Sequence, residues 1–390
     1  MPDSVTIEPR DAASADALAL ARALVATPSV NPTLDPAGTG EAAVAGVTAE
    51  WLRSWGFGVE QVDAAPGRPS VLARLERGPG RSLVLNGHLD TVGVDGMEAP
   101  FDPVVRDGRL HGRGSADMKA GVAAALAAAR DAAAAGFRGT LIVALTADEE
   151  AEGRGAQRLV DAGLRADGAV VCEPTGLDIM PAHKGFTWLD LAFRGRAAHG
   201  SRPDRGVDAI RHAGRFLARL DELEATLARR EPHPLLGAGS VHAGTIRGGT
   251  APSVYPDRCV LSLERRTLPG EAASAFVAEV ELILGRLRSD VPTLDASLEV
   301  ALHRDGTEVP ADHPLVAALS DAAGAAGLEP GVRGMTAWVE AGTFTAAGTP
   351  AVCFGPGDIA DAHAADESVD VAGIHAAHRT LTTLVRTFLS

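Results

Sequence analysis

Six residues have the side chains to ligate metal or carry protons and are the candidate ligands: His88, Asp117, Glu149, Glu150, Glu173 and His363. Carboxylates mixed with imidazoles suit zinc, and also cobalt or manganese, while the lack of cysteine partners argues against a closed structural zinc site. Five ligands are too many for one catalytic zinc. They suit two divalent ions, each with one histidine, one terminal carboxylate and a share in a bridging carboxylate, leaving room for a water between the ions. That water still needs a base that is not itself a ligand, and a glutamate adjacent to a ligand glutamate supplies one.

The elements that must present these groups are legible as apolar runs. Leu83-Val84-Leu85 reads as a buried strand that stops at Asn86-Gly87 and delivers His88 and Asp90. Thr140–Thr146 reads as a strand ending in Asp148-Glu149-Glu150, and Gly168–Cys172 as one ending in Glu173. Ala-rich Met118–Ala135 reads as a helix with Asp117 at its amino end, where a carboxylate also serves as a cap. Asp148 is read as a residue that only solvates its turn. Further helices are predicted over Ala12–Thr27, Glu41–Trp55, Leu315–Ala326 and Val371–Leu389, and strands over Gly58–Val62, Ser70–Leu75 and Ala351–Phe354. This alternation implies an α/β fold with a mixed, largely parallel sheet and helices on both faces. Ligands in such sheets bind beyond the carboxyl ends of the strands.

From about His183 the pattern becomes β-α-β-β-α-β, the order of a ferredoxin-like α+β domain. The expected organisation is one domain in two parts, 1–182 and 304–390, interrupted by a second domain over 183–303.

The totals narrow the partners. With 36 Lys plus Arg against 51 Asp plus Glu, the net charge is −15, which repels nucleic acid and anionic lipid. No run of about 20 apolar residues occurs and Met1–Arg10 lacks an apolar signal core, so a cytoplasmic protein with no membrane association is expected. Cys172, Cys259 and Cys353 are odd in number and set among apolar residues, the pattern of small buried side chains.

Gly87-His88-Leu89-Asp90, Gly112 to Gly121, Asp148-Glu149-Glu150, Cys172-Glu173-Pro174-Thr175 and Gly355-Pro356-Gly357 followed by His363 resemble, in order, the motifs of the M20 family of metallo-aminoacylases and peptidases. The resemblance implies that 1–182 with 304–390 is a catalytic domain and 183–303 a lid and dimerisation domain, and that Asp117 bridges two ions, most simply zinc. His88 with Glu173 would hold one and Glu150 with His363 the other. Asp90 would accept the second ring N–H of His88, and Glu149 would be the general base acting on the bridging water. Gly195 to Ser201 is similar to the motif whose histidine, here His199, stabilises the oxyanion in family dimers. Glu264 to Gly270 is similar to the motif whose arginine, here Arg266 rather than Arg265, grips the substrate carboxylate. Two positions depart from the family pattern: Ser253 stands where many relatives place Asn, and Glu340 where deacetylase members often place Asp.

These features imply an enzyme that hydrolyses the amide bond of an N-acyl amino acid, in the manner of acetylornithine deacetylase, and that forms a homodimer through the inserted domain. The alternatives are a dipeptidase or carboxypeptidase of the same family and a catalytically silent metal-binding homologue. Presence of Glu149 together with all five ligands weighs against the silent protein.

Overall fold

The computed structural model describes residues 7–390, and whatever was read from Met1–Thr6 lies outside them. Two compact units are formed, one from the chain up to Pro181 with Val309–Arg333 and Val339–Ser390, the other from Ala182–Glu308 with Gly334–Trp338.

The first unit begins with helices α1 (Pro9–Ala12), α2 (Ala17–Val25) and α3 (Ala42–Ser54) and strands β1 (Gly58–Ala65), β2 (Arg68–Arg77) and β3 (Ser82–His88). The single helix expected from Ala12 instead starts at Ala17, because the Asp16 side chain accepts the Ala19 N–H at 2.8 Å and caps it there. Short strands β4 (Val104–Arg106) and β5 (Arg109–His111) precede α4 (Ala120–Ala135) and β6 (Gly139–Thr146). They are followed by α5 (Arg154–Asp161), β7 (Gly168–Val171) and β8 (Ile179–His183), which crosses the boundary between the units.

The second unit holds β9 (Gly185–Arg194), α6 (Ala209–Leu227), β10 (Ser240–Gly248), β11 (Arg258–Thr267), α7 (Ala273–Asp290), β12 (Asp295–Arg304) and β13 (Thr307–Glu308). Its antiparallel sheet runs β10-β11-β9-β12, the split-βαβ arrangement. Leu189, Leu191 and Phe193 alternate inward along β9 and pack with Phe216 of α6 and Phe276 of α7. Residues 334–338, which the sequence places with the returning segment, belong to this unit, and the Lys184 N–H donates to the Met335 carbonyl at 3.0 Å.

The chain returns through α8 (Pro314–Ala325), β14 (Val332–Met335), α9 (Ala341–Ala346), β15 (Ala351–Cys353), β16 (Ser368–Asp370) and α10 (Val371–Phe388). In the first unit's sheet the order is β1-β2-β6-β3-β7-β15-β8. Strands β6, β3, β7 and β15 are mutually parallel, β2 and β8 run antiparallel to them at the flanks, and β1 pairs antiparallel with β2. Leu83 and Leu85 of β3 and Leu141, Val143 and Leu145 of β6 join the main apolar cluster with α2, α4, α8 and α10. Helices α5 and α9 cover the other face, so the strands are apolar on both sides, which explains their continuous apolar runs. A separate three-stranded sheet, β16-β5-β4, brings Ser368 opposite His111.

Close packing of α4 on the sheet depends on Gly121, where a Cβ would stand 1.9 Å from the Cys172 carbonyl oxygen. The three cysteines are buried and free. Among the described residues no helix is long and apolar enough to cross a membrane.

Candidate metal centre

The parallel strands end together. His88 is the last residue of β3 and pairs in register with Thr146, the last of β6, after which the chain runs to Glu149 and Glu150. Val171 of β7 pairs with Asn86 and with Cys353 of β15, so Glu173 and the loop that leads to His363 leave from the same edge.

Asp117 is no helix cap. Helix α4 begins at Ala120, and Asp117 lies before it in a wide turn over Ser115–Lys119 with φ −119° and ψ 96°. The turn exists because Glu367, buried beneath it, draws the N–H groups of Ala116 and Asp117 to one carboxylate oxygen. The result is that the Asp117 side chain enters the site with each oxygen facing a different histidine. Oδ1 lies 3.0 Å from His88 Nε2, and Oδ2 3.3 Å from His363 Nε2. His363 Nε2 is also 3.0 Å from Glu150 Oε2, and His88 Nε2 is 4.0 Å from Glu149 Oε2.

Ligand atoms of His88, Asp117 and Glu173 all lie within 4.8 Å of one another, and so do those of Asp117, Glu150 and His363. Asp117 is common to both groups. Glu149, with Oε2 4.0 Å from His88 Nε2, belongs to neither.

The electrostatics of the site fit divalent cations. Burial pushes the Glu149 carboxyl well above the usual carboxylate range, with the charges of Glu173, Glu150 and Glu340 adding to the effect against that of His88. Burial and the Asp117 charge push Glu173 up to about 8. Burial alone would raise Asp117 too, but hydrogen bonds from His363 and His88 hold it well below the ordinary range. Oε1 of Glu150 is buried without a hydrogen-bond partner. A cluster of carboxylates with a buried unpartnered oxygen and, among the described residues, two imidazoles as counter-charge is a donor set that a pair of divalent ions would complete.

The expected bond from the His88 ring to the Asp90 carboxylate is replaced by another. His88 Nδ1 is 2.9 Å from the Asp90 backbone carbonyl and 3.8 Å from the carboxylate. The carboxylate is already occupied by the Glu149 and Glu150 N–H groups, each at 3.1 Å, and by the Asn31 amide at 2.7 Å. Asp90 therefore shapes the Glu149-Glu150 turn.

Asp148 does not solvate its turn. It is fully buried, its φ is +68°, and it pairs with Arg68 Nη1 at 2.7 Å, while Arg68 also pairs with Glu41. Glu340 is buried as well, accepting from the Thr146 hydroxyl at 2.5 Å, the Ala156 N–H at 3.3 Å and the Asn86 amide at 3.4 Å.

Sequence reading passed over Asn31, Glu41, Arg68, Arg113 and Glu367. Arg113 stands four residues before Asp117 and Glu367 four after His363, so nearness to ligands was the one available signal.

In the second unit His199 is exposed on a loop bridged to Val254, and the adjacent Gly200 N–H donates to the Ser253 carbonyl at 2.7 Å. His199 Nδ1 lies 2.8 Å from the Ser201 hydroxyl and 3.2 Å from the Ser201 N–H, which leaves Nε2 as the ring nitrogen without a partner in that loop. Arg265 is buried and paired with Glu271 and Glu279, whereas Arg266 is part-exposed, with its Nε on Glu264 at 2.7 Å. That difference favours Arg266 over Arg265 as the arginine free to meet a ligand.

An α/β sheet whose parallel strand ends converge two histidine-carboxylate groups on one aspartate defines a metal-dependent hydrolase, here one acting on amide bonds. More particularly, the chain belongs to peptidase family M20/M25/M40, whose model matches residues 84–387. It is 37% identical over 326 residues to an acetylornithine deacetylase of Myxococcus xanthus, 80% of each chain being covered. It is 32% identical over 379 residues to an acetylornithine deacetylase of Proteus mirabilis (strain HI4320), with 95% of this chain and 96% of that one covered. Among solved structures, a Staphylococcus aureus tripeptidase superposes with TM-score 0.79 at 18% identity, over 98% of this chain and 99% of that one. A dinuclear metal-binding M20 peptidase of Bacillus subtilis superposes with TM-score 0.73 at 16% identity, over 96% and 97%. At these identities the solved structures speak for the fold.

Proposed function

We propose that this protein is a di-zinc deacylase that hydrolyses the amide bond of an N-acyl amino acid, with cobalt or manganese as substitutes. The observation that carries this reading is the sharing of Asp117 between two ligand groups with Glu149 beside them but outside both. The substrate class is supported by relatives named acetylornithine deacetylase at 31–37% identity.

His88, Asp117 and Glu173 would hold one ion, and Asp117, Glu150 and His363 the other. Bound there, the ions supply Lewis acidity for the scissile carbonyl and for water. Glu149 takes a proton from the attacking water and delivers it to the leaving amine nitrogen, a task that suits a carboxylate whose proton affinity burial has raised. His199 donates through Nε2 to the oxygen that gains negative charge. Arg266, its Nε held by Glu264, offers its remaining N–H groups to the substrate carboxylate, and Ser253 adds a short polar side chain beside the His199 loop.

In this reading residues 1–182 and 304–390 form the catalytic part and 183–303 a lid and dimerisation part, with β10 and β12 as the open sheet edges through which a homodimer pairs. The absence, among the described residues, of a long apolar helix and the three free cysteines support a cytoplasmic location.

The test is turnover of a panel of N-acyl amino acids and dipeptides by zinc- and cobalt-loaded protein, beside Glu149→Gln. Deacylation lost in the variant by about 10²- to 10⁴-fold, with two ions still bound, is the expected result. Faster cleavage of dipeptides would make the protein a dipeptidase or carboxypeptidase, and loss of an ion from Glu149→Gln would reassign base and ligand.

A further inference from the structure

We propose that Arg113 and Glu367 are positioning residues of the metal centre, their buried ion pair fastening the segment of His363 to the loop of Asp117 and so completing the group Asp117, Glu150 and His363. This rests on the ligand reading above and adds to it a determinant that acts on the second ion more than on the first, since His363 belongs to the second group and Asp117 to both.

The two residues meet because β5 and β16 pair with Ser368 opposite His111, which sets Glu367 beside Gly112 at 3.2 Å from its N–H to the Glu367 carbonyl. The side chains are 3% and 1% exposed. One carboxylate then takes four donors. Oε2 accepts from Arg113 Nη1 at 2.5 Å and the Gly114 N–H at 3.1 Å, and Oε1 from the N–H groups of Ala116 at 2.9 Å and Asp117 at 3.1 Å. The backbone of the bridging aspartate is thus hung from Glu367.

Arg113 extends the tie in the other direction. Its guanidinium donates to the carbonyls of Gly93 at 2.9 Å, Ala364 at 3.3 Å and His363 at 3.5 Å. His363 needs such an anchor more than the other ligands do. His88 and Glu173 leave directly from sheet strands, whereas His363 lies in a loop, with φ +63° and a side chain 52% exposed. The planar fork of arginine, compensated by one carboxylate, spans three carbonyls that a lysine cannot reach together.

The experiment measures zinc and cobalt binding by competition with a chelator on the wild type, Glu367→Gln, Arg113→Lys and, as reference, His363→Ala. Wild type should take two ions. Glu367→Gln, which keeps the volume but replaces an acceptor with a donor, should weaken both ions through Asp117 and the second at least tenfold more than the first. Arg113→Lys should behave alike, and both should match His363→Ala in weakening the second ion more than the first. With one equivalent of cobalt the electronic spectrum should stay that of wild type. If Glu367→Gln fails to fold, Arg113→Lys gives the same readout with the charge kept. Retention of the second ion at wild-type affinity, or equal weakening of both ions as in a general loss of structure, would overturn the inference while leaving the dinuclear reading in place. A wild type that binds fewer than two ions would remove that reading and this one with it.

Discussion

Asp90 Oδ1 accepts the backbone N–H of Glu149 at 3.1 Å, while Oδ2 accepts those of Glu150 at 3.1 Å and the Asn31 amide at 2.7 Å. One buried carboxylate therefore orients two adjacent glutamates with different neighbours. Replacing it with Asn leaves at least one of these donors facing an amide NH₂, whichever way the amide turns. Asp90→Asn should lower kcat by about 10- to 100-fold, with the ion held by His88 less affected because the imidazole bonds to the carbonyl of residue 90. Metal titration beside steady-state kinetics checks this. Unchanged kcat with a weakened first ion would return the role to the imidazole.

Glu340 joins the ends of β3 and β6 to the start of α5 by accepting from Asn86, Thr146 and Ala156. Burial pushes its carboxyl up to about 7. Glu340→Ala takes the side-chain acceptor from the Ala156 N–H and one of two acceptors from Thr146 and Asn86, which keep the Gly87 and Ala144 carbonyls, and should cost about 1–3 kcal/mol of stability, whereas Glu340→Gln, which keeps an acceptor, should cost about 0.5–1 kcal/mol. Urea unfolding of the metal-free variants measures both, and equal losses would mean that the acceptor is not what matters.

Gly121 lets α4 approach the carbonyl of Cys172, one residue before Glu173. Since the obstructing atom is backbone, Gly121→Ala should destabilise the fold by about 1–3 kcal/mol through overpacking. It should also weaken the ion held by His88 and Glu173 more than the one held by His363. Thermal unfolding and metal titration together decide, and wild-type behaviour in both would show that the helix yields freely.

His183 is buried, with Nδ1 3.0 Å from the Lys184 carbonyl and Nε2 2.9 Å from the Thr307 hydroxyl, and burial lowers its pKa from 6.5 to about 4. The unfolded chain then binds more protons than the folded one between these values. Stability is fully present above pH 6.5 and falls as the pH drops toward 4, by about 3 kcal/mol from this group. In metal-free protein, His183→Gln should flatten that part of the stability profile, seen by urea unfolding at several pH values. A slope equal to that of wild type would assign the acid sensitivity elsewhere.

Strand ends, ligand types and the β-α-β-β-α-β insert were legible in the sequence because each is written in short, contiguous patterns. Leu83-Val84-Leu85 before His88 and Thr140–Thr146 before Glu149 state locally that an apolar strand delivers a polar group, and family motifs in order add the pairing of the ligands. What a buried carboxylate binds is not local. Asp90 serves the backbone of residues 149 and 150, Asp148 meets Arg68, and Glu367 holds a loop some 250 positions earlier, because chain crossings bring their donors within about 3 Å. Sequence alone determined which residues could bind metal and on what kind of fold. Only the tertiary structure decided which buried acids hold other residues in place, since hydrogen-bond partners are chosen by proximity in space, and spacing along the chain does not encode it.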